Sequence, residues 1–193
     1  MQMAFFFNQA RCSGCETCVL ACRQWYYQNE ERWADRRWLL SCEEGKFPAV
    51  AVNYLTLSCL HCEVPACIPV CPSGAITKRI EDGIVIVDED ACIGQDNCGG
   101  LCKDACPYEA LRFLSEGNGK IQKCDFCLER LLENKKPICV AACPTRALDY
   151  GPLDELKAKY GELKEIKGFV HSAELKPSIV FKGKTGIANN SPP

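Results

Sequence analysis

The sequence predicts an α+β fold of short strands, short helices and much loop, built from duplicated modules. Three observations carry this. Cysteine makes up 17 of 193 residues, and sixteen of them gather into four groups of four. Cys-Pro-Ser-Gly-Ala-Ile, Cys-Pro-Tyr-Glu-Ala-Leu and Cys-Pro-Thr-Arg-Ala-Leu recur at Cys71, Cys106 and Cys143, an internal repeat that ends three of those groups. Between the second and third groups, two β-rich runs flank Asp82-Gly83, a dipeptide suited to a tight turn.

The elements follow in order. Ala4 to Asn8 is a strand candidate leading into Cys12, Cys15, Cys18 and Cys22, spaced Cys-x2-Cys-x2-Cys-x3-Cys. There Ser13 and Gly14 keep bulk off the loop, so that backbone N–H groups are free to point at sulfur. Cys18, Val19, Cys22, Trp25 and Tyr26 share a helical stripe between Cys15 and Gln28. Residues 30–55 hold no ligand set and are expected to cover the core; Phe47 to Leu57 within and beyond them is extended. Trp33 and Trp38 there suit packing, and Cys42, the thiol outside the four groups, suits a buried structural role.

The second group, Cys59, Cys62, Cys67 and Cys71, is followed by the hairpin over Ala75 to Asp88, and then by Cys92, Cys98, Cys102 and Cys106. The fourth group, Cys124, Cys127, Cys139 and Cys143, carries a helix that starts at Cys127 and stops before Lys135-Lys136-Pro137. A closing helix spans Pro152 to Gly161, with Leu153, Leu156 and Tyr160 on its buried face. From Lys182 onward the composition is that of a mobile tail unless a partner holds it.

Four groups of four thiols point to iron–sulfur chemistry. Cys-x2-Cys lets one loop offer two thiolates to neighbouring irons, and in two-cluster bacterial ferredoxins the Cys before Pro ligates the other cluster. A disulfide scaffold fits poorly, because bridges between residues three apart remove little unfolded-state entropy and the cysteine total is odd. Structural zinc sites show paired Cys-x2-Cys or mixed Cys and His, whereas this chain has only His61 and His171. His61, between two ligand candidates, is read as a supporting or surface group. The expected cofactors are therefore four 4Fe-4S clusters, in an α+β fold of tandem bacterial dicluster ferredoxin-like domains. The third group is the least regular, with x5, x3 and x3 spacers, and a 3Fe-4S or absent cluster there is the alternative.

Charge and hydropathy exclude other classes. The formal net charge is −2, which full ligation would take to about −10, and Lys and Arg form no block that would suit nucleic acid. No apolar run reaches the length of a membrane span. Met1 to Asn8 has no basic segment and only four consecutive apolar residues, so no signal peptide is expected there.

The chain resembles the four-cluster iron–sulfur subunits that accompany molybdopterin enzymes of the dimethyl sulfoxide reductase family. The resemblance rests on Arg11 to Cys18, Cys59 to Ser73, Cys124-Asp125-Phe126-Cys127, Lys136 to Leu148, and Lys176-Pro177-Ser178-Ile179-Val180. It implies an electron-transfer subunit without substrate chemistry of its own. Its partners would be a large catalytic subunit carrying molybdenum or tungsten and an external redox partner, either a membrane anchor or a soluble carrier. It also implies crossed ligation: Cys12, Cys15 and Cys18 with Cys143; Cys124, Cys127 and Cys139 with Cys22; Cys59, Cys62 and Cys67 with Cys106; Cys92, Cys98 and Cys102 with Cys71. The first module would be residues 1–29 and 107–150, the second 56–106, with 151–193 forming a C-terminal helix and partner-contacting tail. Location would be cytoplasmic, or periplasmic by folded export with a signal-bearing partner. Rival readings are a soluble polyferredoxin or relay subunit of a hydrogenase or formate-oxidising complex, and a chain made catalytic by its third group.

Crossed ligation has a direct test. Cys71→Ser is expected to alter the electron paramagnetic resonance signal of the cluster held by Cys92, Cys98 and Cys102; loss confined to the cluster of Cys59, Cys62 and Cys67 would refute the crossing.

Overall fold

A computed structural model describes residues 1–27, 34–114 and 119–184. The elements in chain order are β1 (Met3–Asn8), α1 (Thr17–Tyr26), β2 (Arg37–Lys46), β3 (Ala49–Ser58), β4 (Ile76–Lys78), β5 (Val85–Val87), α2 (Gln95–Cys98) and α3 (Leu101–Asp104). They continue with β6 (Arg112–Phe113), β7 (Ile121–Gln122), α4 (Leu128–Leu132), α5 (Ile138–Ala142), β8 (Leu148–Pro152), α6 (Leu153–Tyr160) and β9 (Ile179–Lys182). Short strands and helices joined by loop give the expected α+β class.

Strand β1 is the keystone. It is central in a three-stranded sheet, antiparallel to β8 and parallel to β9, with Phe5 opposite Tyr150 on one side and Ile179 on the other. All six of its residues are buried, as expected of a strand covered on both faces. The two-residue alternation divides the protein. Met3, Phe5 and Phe7 face the large core that contains most of the buried cysteines, while Ala4 and Phe6 face Leu153 and Leu156 of α6 beside Val180 of β9. Phe6 stacks on Tyr160 at 3.7 Å between ring centroids.

The closing helix forms as its sequence requires, with Pro152 at its N-cap and Gly161 at its C-cap. Strand β9 was not foreseen, because its pairing with β1 joins opposite ends of the chain. The hairpin around Asp82-Gly83 forms, with Ile76 opposite Val87 and Lys78 opposite Val85. Its loop is longer than a two-residue turn: Arg79 donates its N–H to the Ile84 carbonyl at 2.9 Å, and the Asp82 carboxylate accepts the Ile84 N–H at 3.0 Å.

The segment between the first two cysteine groups makes a long hairpin, β2 with β3, in which Arg37 faces Ser58 and Lys46 faces Ala49. The extended run from Phe47 is realised as β3, and β2 pairs with it where the sequence has no strand signal. Trp38 packs on the main core beneath the Arg112 guanidinium; Trp33 lies outside the described residues. Cys42 is half-buried, with its sulfur against Gly168, where an added Cβ would come within 2.8 Å. The tail beyond residue 184 also lies outside the described residues. None of the described helices is long and apolar enough to cross a membrane.

Because α6 packs on the face of β1 turned away from the cysteines, the two sides should respond separately. Leu156→Ala is expected to cost about 2–5 kcal/mol of stability, read as a lower melting temperature, with the iron content of the folded chain unchanged.

Candidate iron–sulfur centres

The three Cys-Pro repeats fold as three copies of one turn. The third residue after each cysteine is left-handed, with φ of 66° at Gly74, 50° at Glu109 and 52° at Arg146. Its N–H closes back onto the cysteine carbonyl at 3.2, 3.1 and 3.2 Å. The alanine that follows is buried in every copy and turns its N–H toward the thiol: Ala147 donates to Cys143 Sγ at 3.2 Å, and Ala75 and Ala110 donate to Cys71 and Cys106. Each turn then delivers a buried Ile76, Leu111 or Leu148 into the core. The repeat is thus a device for aiming an amide at sulfur while anchoring the loop. Glu109 and Arg146 hold a conformation that costs an L-residue about 1–2 kcal/mol, which the hydrogen bonds and burial offset.

Other amides converge in the same way. Phe126 N–H reaches Cys124 Sγ and Ile138 N–H reaches Cys127 Sγ, each at 3.4 Å. Gly14 donates to Cys12 from a φ of 73°, and a Cβ there would meet the Tyr54 ring at 2.6 Å, so this loop needs glycine. Hydroxyls add to the set: Thr17 on Cys15 at 3.4 Å, and Ser73 and Thr145 beside Cys71 and Cys143.

The structure brings the thiols together across groups. Cys12, Cys15, Cys18 and Cys143 line one recess of about 310 Å³. Cys71, Cys92, Cys98 and Cys102 line another of about 320 Å³, together with Ile76, Phe113 and Ile121. Cys59, Cys62, Cys67 and Cys106 interact electrostatically with one another. So do Cys22, Cys124, Cys127 and Cys139. The irregular third group closes its loop through Gly99 and Gly100, both left-handed, which lets α2 and α3 turn Cys98 and Cys102 inward. All seventeen cysteines are free thiols. Among the described residues, no three His, Cys, Asp or Glu side chains close on a single ion; the sulfurs ring recesses instead. Soft thiolate donors at the rim of small, mostly apolar recesses, met by amide N–H groups, fit iron–sulfur clusters.

Burial sets the thiol chemistry. It pushes Cys22, Cys62 and Cys67 up to about 12 and Cys102 up to about 11, with neighbouring sulfurs adding to the effect. At Cys71 burial is outweighed by the Ser73 hydroxyl and the amides of Ile76, Ala75 and Ser73, and the thiol lies below its ordinary value. Exposed Cys15 is lowered by the Thr17 hydroxyl and amide. In the metal-free fold the deep thiols keep their protons, so cluster binding must release them.

Two buried polar groups that spacing does not announce sit among the centres. His61 is fully buried; its Nδ1 accepts the Val85 N–H at 3.0 Å, and burial followed by the Lys123 and Lys78 charges hold it neutral. It is a core histidine and not a surface one. Lys123, 2% exposed, donates to the carbonyls of Val85 and Cys124. Its signal in the sequence was only its place beside Cys124.

Comparison with known proteins agrees with this architecture. The 4Fe-4S dicluster domain family matches residues 50–153. The B chain of the anaerobic dimethyl sulfoxide reductase of Escherichia coli (strain K12) is 46% identical, covering 94% of this chain and 88% of that protein. The protein belongs to the iron–sulfur electron-transfer subunits of the dimethyl sulfoxide reductase family. More distant members of the group are the B subunit of the sulfite dehydrogenase of Allochromatium vinosum, 35% identical over 80% of this chain and 70% of that one, and Protein NrfC of Escherichia coli (strain K12), 36% identical over 81% and 68%. As an electron-transfer subunit of this family, the chain uses its cysteines to hold iron–sulfur clusters.

Lys123 also gives this subunit a structural test. Lys123→Met would leave two buried carbonyls without their donor, at a cost of about 1–3 kcal/mol for each unsatisfied group, and the melting temperature should fall accordingly.

Proposed function

We propose that the chain relays electrons through four 4Fe-4S clusters between a molybdopterin catalytic subunit holding Mo or W and an external redox partner, a membrane anchor or a soluble carrier. The ligand sets are Cys12, Cys15, Cys18 and Cys143; Cys22, Cys124, Cys127 and Cys139; Cys59, Cys62, Cys67 and Cys106; and Cys71, Cys92, Cys98 and Cys102. The observation that carries this reading is the crossed convergence of the thiols, above all the recess shared by Cys71 with Cys92, Cys98 and Cys102. It supports a full set of four ligands at the irregular third group, and so a 4Fe-4S cluster there over a three-iron one. On this reading, residues 1–29 and 107–150 form one dicluster module and 56–106 the other. Residues 30–55 cover the core, and 151–193 complete it and contact the partner.

Bound clusters would supply one-electron transfer, with potentials that hydrogen bonds, charge and burial adjust. The chain's own residues do the rest. Cysteines fix the positions, the repeated turns supply amide donors to sulfur, and Phe5, Phe7, Ile76, Leu111, Ile121 and Phe126 exclude water from between the centres. Two of the relatives are named as one component of a reductase or a dehydrogenase, which supports a role inside a larger assembly. The side of the membrane follows from the catalytic partner: without a signal it keeps the complex cytoplasmic, and with one it carries the folded chain to the periplasm.

The decisive measurement is iron, acid-labile sulfide, molybdenum and tungsten per chain in protein purified anaerobically from its host. About sixteen irons with a co-purifying large subunit and its metal are expected. About twelve would remove the cluster of Cys92, Cys98 and Cys102, and sixteen in a stable monomer without a pterin partner would favour a free polyferredoxin.

A further inference from the structure

Arg37 opens β2 and is only 3% exposed. Burying a guanidinium costs several kcal/mol unless an anion meets it, yet its hydrogen bonds go to neutral hydroxyls, Thr56 Oγ1 at 3.3 Å and Ser58 Oγ at 2.9 Å. Among the described residues no carboxylate lies within ion-pair distance of it. The neighbouring Arg36 is different: it reaches the Glu89 carboxylate at 3.4 Å, besides Gln122 and Tyr27. Arg37 and Cys22 line one recess. A guanidinium stays ionised when buried, and its charge acts on Cys139, Cys18, Cys124 and Cys22. The Thr56 hydroxyl that accepts from Arg37 is also 3.6 Å from Cys18 Sγ. On its other side the guanidinium lies 5.1 Å over the Phe5 ring, which fixes it against β1.

Those four sulfurs belong to two different sets. Cys18 stands with Cys12, Cys15 and Cys143, while Cys22, Cys124 and Cys139 stand with Cys127. Helix α1, which carries Cys18 and Cys22, packs on α5, which carries Cys139, and on β2, so the two sets adjoin at the place where Arg37 enters. We propose that Arg37 is a positioning residue for electron transfer: a single buried cation shared by these two clusters, which raises the reduction potentials of both together. A cubane with four thiolates is anionic in either oxidation state and gains a further negative charge on reduction. A fixed positive charge at low dielectric therefore stabilises the reduced form of each cluster more than its oxidised form. The β2–β3 hairpin then does more than shield the core, because it carries the charge in.

This inference rests on the relay function proposed above, and the test separates the two. Arg37→Gln, which keeps a hydrogen-bond donor and removes the charge, and Arg37→Lys, which keeps the charge, are compared with the unaltered chain in the purified complex. Iron content is measured first, and the four potentials are then taken from a redox titration followed by electron paramagnetic resonance. The expected result is a downward shift in two of the four potentials in Arg37→Gln, restored for the most part in Arg37→Lys. Ser58→Ala, which deletes the hydroxyl's two neutral-partner contacts, from Arg37 and to the Cys59 carbonyl, and no charge, should leave all four in place. Equal shifts in the Gln and Lys variants, a shift spread over all four clusters, or no shift would overturn the proposal. If Arg37→Gln fails to retain iron, Arg37→Lys decides: loaded and unshifted it supports a role of charge, and unloaded or shifted it overturns it. An unaltered chain that lacks iron at these two sets would instead count against the relay reading itself.

Discussion

A thiolate removed from water has to find hydrogen-bond donors and positive charge inside the protein, and much of this chain's loop geometry meets that need. Side chains able to donate are scarce around most of the sulfurs. The backbone supplies the donors, and it can aim an amide at a preceding sulfur only if the chain reverses sharply between them. Left-handed residues provide the reversal at Gly74, Glu109 and Arg146, and again at Phe126 and Cys127. Glycine would be the easier choice at each of these, yet only Gly74 uses it. The strain at the others is tolerated because the next residue is clamped by its amide and by burial, as Ala110 and Ala147 are.

That requirement explains why so little regular structure is enough. Helices α2 to α5 are four or five residues long, too short to be stable alone. Each carries or borders a cysteine, and α3, α4 and α5 also pack on the core that β1 organises, through Cys102, Leu128 with Leu131, and Cys139 with Val140. Strand β1 in turn depends on the C-terminal part of the described chain, through β9 on one edge and β8 on the other. The C-terminal segment is therefore part of the centre's support, although it contributes no cysteine. Its closure onto β1 also covers the outer face with α6, so that Phe6 and Ala4 are as dry as the phenylalanines on the cysteine side.

Spacing made the four cysteine groups legible in the sequence, because several thiols on one short loop have few other uses. The Cys-Pro repeat, the hairpin at Asp82-Gly83 and the helix from Pro152 were legible for the same local reason: each is settled by residues within a few positions of one another. What was not legible is non-local. Strand β9 is defined by a partner at the opposite end of the chain, and β2 begins at the close of a charged run, Glu30 to Arg37, that looks like a solvated surface. The signal at Arg37 is misleading for a physical reason, since an arginine beside another arginine is read as exposed unless the anions that hold it are known. Cys42 shows the converse. A lone thiol suggested a buried hydrophobe, but its place on the outer part of the β2–β3 ribbon leaves it half-exposed.

The buried cations divide their work by what they touch. Lys123 directs its ammonium to backbone carbonyls, so part of its charge is spent on holding two loops together beside Cys124. Arg37 donates to hydroxyls and lies over the Phe5 ring, and among the described residues no carboxylate competes with the sulfurs for its charge. A planar, permanently charged group suits that place better than an ammonium, because it remains ionised whatever the surrounding field and tolerates burial with fewer water contacts. A carboxylate placed beside it would satisfy the guanidinium and cancel its field at the same time. In the relay proposed here, the lack of such a partner among the described residues is thus a requirement of the site: the arginine can act on its neighbouring clusters only so long as they are its counter-ions.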